Sequence, residues 1–221
     1  MSISMLESPV RGGLVVVSLV IVGLSAGLSD AGVQVEVPVD LGGAIADVST
    51  SNFTFTMTQS GPVEDVNLQL AMEHTYITDL TVTLISPSDQ GNPSVSVELF
   101  RYLAPNNEDA EFRDAVFDDD SVPFQQGRIG APGNLEPPYQ YVYQPQIEDL
   151  SAFDGIEAKG TWTLVITDDE AGDTGQLYAP GQSAPWGTTV GTKLILTIPE
   201  PAGVSLLVAG ACALLRRRRG A

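Results

Sequence analysis

The stretch "GTWTLVITDDEAGDTGQL", residues 160–177, decides the fold. Trp162, Leu164 and Ile166 recur with period two, the signature of a strand with one buried face. Directly behind them "DDEAGD" (168–173) sets acids around a glycine, which reads as a turn. The same alternation recurs outward along the chain: Val33 to Val39, Phe53 to Met57, Val66 to Met72, Leu80 to Leu84, Val95 to Leu99 and Leu194 to Ile198. Turn signals such as "SPSDQGNP", "IGAPGN" and "APGQSAPWG" separate these runs. No segment carries a convincing helical period. Many short half-buried strands with Gly and Pro between them predict an all-β fold, an antiparallel jelly-roll β-sandwich. Residues 127–146, rich in Pro and Tyr, read as a long ordered loop over the surface.

With 221 residues, 43% of them hydrophobic, the chain can bury one sizeable core. The formal charge of -18 understates the acidity of the strand-rich part, because Arg11 and Arg216 to Arg219 belong to the two ends. Such a surface repels phosphate backbones, which excludes nucleic acid as a partner. The single cysteine, Cys212, precludes an intramolecular disulfide.

Both ends read as addresses. Arg11, the apolar run Leu14 to Leu24 and the small-x-small exit at Ser29-Asp30-Ala31 have the order of a secretory leader, residues 1–31. An uncleaved anchor is the competing reading, although the run is shorter than the roughly 20 residues a spanning helix needs. At the other end, Ala202 to Leu215 gives a helix of about 21 Å against a hydrocarbon core of about 30 Å. Arg216 to Arg219 would hold its far end in the cytoplasm. Residues 199–221 thus form a short transmembrane helix behind Pro199-Glu200-Pro201, and residues 32–198 the domain between.

That arrangement of motif, short apolar helix and terminal arginines resembles the PEP-CTERM sorting signal of exported bacterial proteins. The resemblance implies delivery to a cell envelope or extracellular matrix. It also implies an exosortase-like sorting enzyme as partner, and transient anchoring in the inner membrane.

A second resemblance rests on "HTYITDLTVTLISPSD" (74–89), "FDDDS" (117–121) and "LSAFDGIEAKGTWTLVITDDEAGDTGQL" (150–177). These are similar to the P domain, or Homo B domain, that follows the catalytic domain in kexin- and furin-like proprotein convertases and in many secreted bacterial proteases. It implies a jelly-roll sandwich. Two departures stand out. Asp89 replaces the family's usual glycine after "SPS", and residues Tyr178 to Thr189 are inserted before the last strand.

A Ser-His-Asp hydrolase needs a base beside its nucleophile. His74 is the only histidine, and no Gly-x-Ser-x-Gly elbow is present, so the ring is expected to fill a packing position and hydrogen-bond nearby backbone. The resemblance places protease activity in a neighbouring domain. No catalytic residue is assigned and the chain is not read as an enzyme.

Calcium is a better use of the acids, since hard cations take six to eight oxygens from carboxylates and loop carbonyls. Asp168 and Asp173 flank one glycine turn, while Asp118 and Asp120 belong to a second cluster. The alternative keeps these as turn residues that cap backbone N–H groups. Trp162 belongs to the core. Trp186, in the inserted loop, is expected to be exposed and, with Tyr139, Tyr141 and Tyr143, either to form an aromatic contact surface or to pin its loop to the sandwich.

The reading that follows is an exported, non-catalytic module acting in protein interaction or surface structure. Alternatives are an accessory subunit of a separate subtilisin- or kexin-like serine endopeptidase, and a calcium-dependent carbohydrate-binding module. The partner is accordingly a surface protein, a protease or a polysaccharide.

Overall fold

In chain order the strands are β1 (Val33–Pro38), β2 (Gly43–Ile45), β3 (Thr50–Met57), β4 (Asp65–Tyr76), β5 (Leu80–Ile85), β6 (Ser96–Arg101) and β7 (Glu108–Phe117). They continue with β8 (Val142–Tyr143), β9 (Gly160–Asp168), β10 (Gly175–Leu177), β11 (Ser183–Ala184), β12 (Gly187–Thr188) and β13 (Lys193–Ile198). Short 3-10 turns occupy Ile77–Asp79 and Leu150–Phe153. This computed structural model describes residues 32–88, 93–102, 108–121 and 138–199. The leader, Asp89, Glu200, Pro201, the apolar run Ala202 to Leu215 and Arg216 to Arg219 lie outside the described residues. Among the described residues no helix is long and apolar enough to cross a membrane.

Two sheets make the fold an all-β sandwich. A seven-stranded sheet is built around the long strand β4, which pairs with β7 along one edge and with β13 and then β10 along the other. β1 extends this sheet beyond β13, β2 beyond β10 and β8 beyond β7. The second sheet has four strands in the order β3-β9-β5-β6. Their facing sides carry the alternation predicted above: Val66, Leu68, Leu70 and Met72 from β4 and Trp162, Leu164 and Ile166 from β9 are all buried. The indole of Trp162 donates to the Ala158 carbonyl at 2.9 Å, and its ring meets Phe153 edge-on at 5.1 Å. Burial of each such side chain contributes about 1.5–3 kcal/mol.

The proline- and tyrosine-rich segment corrects the sequence reading. Its described part, from 138 onward, sends Tyr139 and Tyr143 inward, where they are fully buried. Tyr139 stacks on Phe112 at 4.7 Å, and Phe112 stacks on Phe100 at 5.3 Å. Gln146 and Glu148 then run beside the outer edge of β6: Gln146 N–H donates to the Leu99 carbonyl at 2.6 Å, Glu148 N–H to the Glu98 carbonyl at 3.1 Å, and the Glu148 carboxylate accepts Glu98 N–H at 2.7 Å.

The inserted residues form the small β11–β12 hairpin and fold back on β4. Gln69 donates its side-chain amide to the Gly191 carbonyl, and Thr192 accepts from Ala71 N–H. This loop is seated by Asp114, a non-glycine residue at φ 57 where β7 bulges past β4. Its carboxylate accepts both Val190 N–H and Gly191 N–H.

Candidate functional site

The acids gather at opposite ends of β4. At its far end, His74 projects inward and Asp168 closes β9 from the facing sheet; Nε2 lies 3.3 Å from Oδ2, with both side chains shut off from solvent. Tyr76 N–H donates to His74 Nδ1 at 3.2 Å, while the Tyr76 carbonyl lies 2.9 Å from the same nitrogen. Nε2 and Oδ2 approach without hydrogen-bond alignment, and each is buried with no hydrogen-bond partner. Oδ1 of Asp168 accepts Glu170 N–H at 3.2 Å. His74 therefore takes the packing and backbone-bonding place expected of it.

Other acids crowd this end. Asp79 is buried on the 3-10 turn, and burial, followed by the nearby charges of Asp168, Asp173 and Glu170, pushes its carboxyl above the ordinary value. Burial also raises Asp168, against the lowering pull of Glu170 N–H and His74. Asp173 accepts the Thr75 hydroxyl at 2.8 Å, and Asp47 accepts Gly172 N–H at 3.0 Å. Gly175 is required here by space: a Cβ would sit 2.3 Å from the Glu73 carbonyl oxygen and 2.6 Å from His74 Cδ2.

At the near end, β4 begins at Asp65 beside the end of β7. Burial, then Asp118, Asp120, Asp154 and Asp119, raise the Asp65 carboxyl. Asp118 accepts Asp120 N–H at 2.8 Å within its own turn. Asp119, the middle acid of the second cluster, turns back to accept Leu150 N–H at 2.9 Å and Ser151 N–H at 2.7 Å, capping the second 3-10 turn. Asp149, the residue in the capping position, makes no such bond.

The structure thus brings Asp168 and Asp173 to one end of β4 and Asp118 and Asp120 to the other. Among the described residues no three His, Cys, Asp or Glu side chains converge in metal-holding geometry. Asp168 is turned toward His74 and Asp118 is occupied by its own turn, so neither set, as it stands, encloses a cation.

Of the two readings of the aromatic residues, the one in which they pin their loops to the sandwich holds. Tyr139 and Tyr143 are core residues, leaving Tyr141 exposed. Trp186 is half-buried rather than exposed: its ring meets Tyr178 edge-on at 5.4 Å and carries the Arg113 guanidinium 5.7 Å from its centroid. It pins the inserted hairpin to the sandwich.

An all-β sandwich with an internal His–Asp contact at one end defines a fold class and not, by itself, a chemistry. Residues 63–179 match the proprotein convertase P-domain, and the chain belongs to that family. It is 25% identical over 133 residues to a calcium-dependent protease of Nostoc sp. (strain PCC 7120), covering 60% of this chain and 16% of that protein. The calcium-dependent protease of Trichormus variabilis is 24% identical over the same length, with the same coverage. The chain thus spans a small fraction of these curated relatives. The crystal structure of the Aeromonas sobria serine protease in complex with its chaperone aligns over 77% of this chain and 28% of that one, with 18% identity and a TM-score of 0.38.

Proposed function

We propose that this chain is a non-catalytic P-domain module, a jelly-roll sandwich exported and sorted to the cell envelope or extracellular matrix, where it binds a separate protein. The observation that supports it is the family match over residues 63–179, a region whose one histidine is sealed between the sheets. Crosslinked pull-down from envelope extract tests it: one protein should be recovered stoichiometrically with the chain. Peptide hydrolysis by the purified chain would overturn it.

The relatives favour a second reading within the same binding role, in which the partner is a separate serine protease that the module stabilises. Recovery of such a protease in the pull-down, with a higher thermal midpoint when the module is present, distinguishes this from a structural surface partner. The carbohydrate-binding alternative loses its aromatic platform with the burial of Tyr139 and Tyr143.

Calcium belongs to the proposal through the names of the relatives and through the uncompensated acids around Asp65 and Asp79. Millimolar Ca²⁺ should raise the thermal midpoint, because a ligand of the folded state alone stabilises it by mass action. An identical midpoint with Ca²⁺ and with chelator removes calcium from the account. Sorting through Pro199, Glu200 and Pro201 is tested by mass spectrometry of both termini of native protein; intact Arg216 to Arg219 on mature material would refute processing.

A further inference from the structure

The outer face of the seven-stranded sheet carries a cleft of about 460 Å³, to whose lining His74 and Gly175 also contribute. Its floor is a row of three directly opposed residues, Gln176 on β10, Glu73 on β4 and Glu111 on β7. Thr75 and Thr174 close one end, and Pro185 of the inserted hairpin forms a wall.

Two glutamates directly opposite each other on neighbouring strands destabilise a sheet unless something positive serves both. Here the nearby donors are already committed. Tyr178 donates its hydroxyl to Glu73 Oε1 at 2.6 Å. Arg113 gives both Nε and Nη2 to a single oxygen, Oε2 of Glu111, at 2.6 Å. The Gln176 amide donates to the Leu177 carbonyl, and the Thr75 hydroxyl to Asp173. Each glutamate keeps one carboxylate oxygen without a donor, Oε2 of Glu73 and Oε1 of Glu111, and Gln176 keeps its Oε1. Beside Pro185, the Trp186 indole N–H is buried without an acceptor.

We propose that this cleft receives an arginine side chain from the partner protein. A guanidinium is planar, carries five N–H donors and no acceptor, and forks across two carboxylate oxygens. Opposed side chains on adjacent strands start with Cβ atoms about 4.5–5.5 Å apart, a spacing one fork can bridge. Net charge supports the same sign of partner, since a formal charge of -18 steers basic segments toward this surface. The inference rests on the reading that the module binds a separate protein, and names the chemistry of that contact.

The two tryptophans supply the assay. Trp162 is sealed in the core and serves as reference, while Trp186 stands beside the cleft. The full chain is titrated with acetyl-Gly-Arg-Gly-amide while both indole N–H resonances are followed. Trp186 should shift and Trp162 stay fixed. The citrulline peptide should bind at least about tenfold more weakly, and Glu73→Gln, which keeps an acceptor for Tyr178, should lower arginine-peptide affinity about tenfold without lowering the thermal midpoint. Absence of a Trp186 shift at millimolar peptide, equal binding of the citrulline or lysine peptide, or the same Glu73-dependent shift produced by CaCl2 alone would overturn the assignment. Undiminished capture of the envelope partner by Glu73→Gln would remove the cleft from the interaction while leaving the binding-module reading in place.

Discussion

His74 and Asp168 face each other from opposite sheets, Nε2 to Oδ2 at 3.3 Å, in a place no solvent reaches. The contact ties the far end of β4 to the last residue of β9. Truncation of Asp168 removes the acceptor of Glu170 N–H and opens a void beside the His74 ring. Asp168→Ala should cost about 1–3 kcal/mol, the usual penalty for an orphaned buried partner. Asp168→Asn, which preserves the acceptor for Glu170 N–H, should cost less. Urea denaturation midpoints decide between the two; equal midpoints for Asp168→Ala and the unaltered chain would show that the contact contributes nothing.

The acids give stability an unusual pH dependence. The carboxyls of Asp65, Asp79, Asp154 and Asp168 are all raised above 3.8, chiefly by burial. A raised carboxyl binds its proton more tightly in the folded state, so its contribution is complete below 3.8 and is lost as pH rises through the folded value. The thermal midpoint should therefore climb on mild acidification from neutral pH. A midpoint that falls steadily from pH 7 downward would contradict the burial argument.

Asp119 secures the second 3-10 turn from outside it. Asp119→Ala removes the acceptor for both Leu150 N–H and Ser151 N–H and should cost about 1 kcal/mol, as loss of a capping side chain does. Because Phe153 of that turn packs on Trp162, tryptophan emission should change with it. An unchanged midpoint and spectrum would refute the cap.

Asp114 anchors the insertion. Asp114→Ala keeps the strained left-handed backbone but loses both acceptors, and amide exchange should accelerate at Val190 and Gly191 while the β4–β7 ladder stays protected. Uniform acceleration across the ladder would mean that Asp114 supports the whole sheet instead.

Gly175→Ala should be among the more damaging single substitutions, at about 1–3 kcal/mol, since the added methyl would meet the Glu73 carbonyl oxygen and the His74 ring. A variant as stable as the unaltered chain would show that β10 can retreat from β4 at little cost.

The strands most legible in the sequence were those with unbroken period two: β3, β4, β5, β9 and β13 all fall where Phe53, Leu68, Val82, Trp162 and Leu196 announced them. β7 was missed for a physical reason. Its inward residues are Phe112, Ala115 and Phe117, and the bulge at Asp114 inserts an extra step that erases the alternation. Tyr139 and Tyr143 could not be divided between contact surface and loop pin, because proline-rich surroundings suggest surface; their rings complete a cluster with Phe112 and Phe117. Both partners of the His74–Asp168 contact were noted individually. Their meeting depends on how two sheets stack, which no local pattern encodes. Glu73 and Glu111 escaped notice because cross-strand opposition requires the register of the missed strand.

The hydrogen bonds from Gln146 and Glu148 along β6 leave that margin with little to offer a neighbouring chain. At high concentration, strand-to-strand addition of one molecule to another through this margin is therefore blocked.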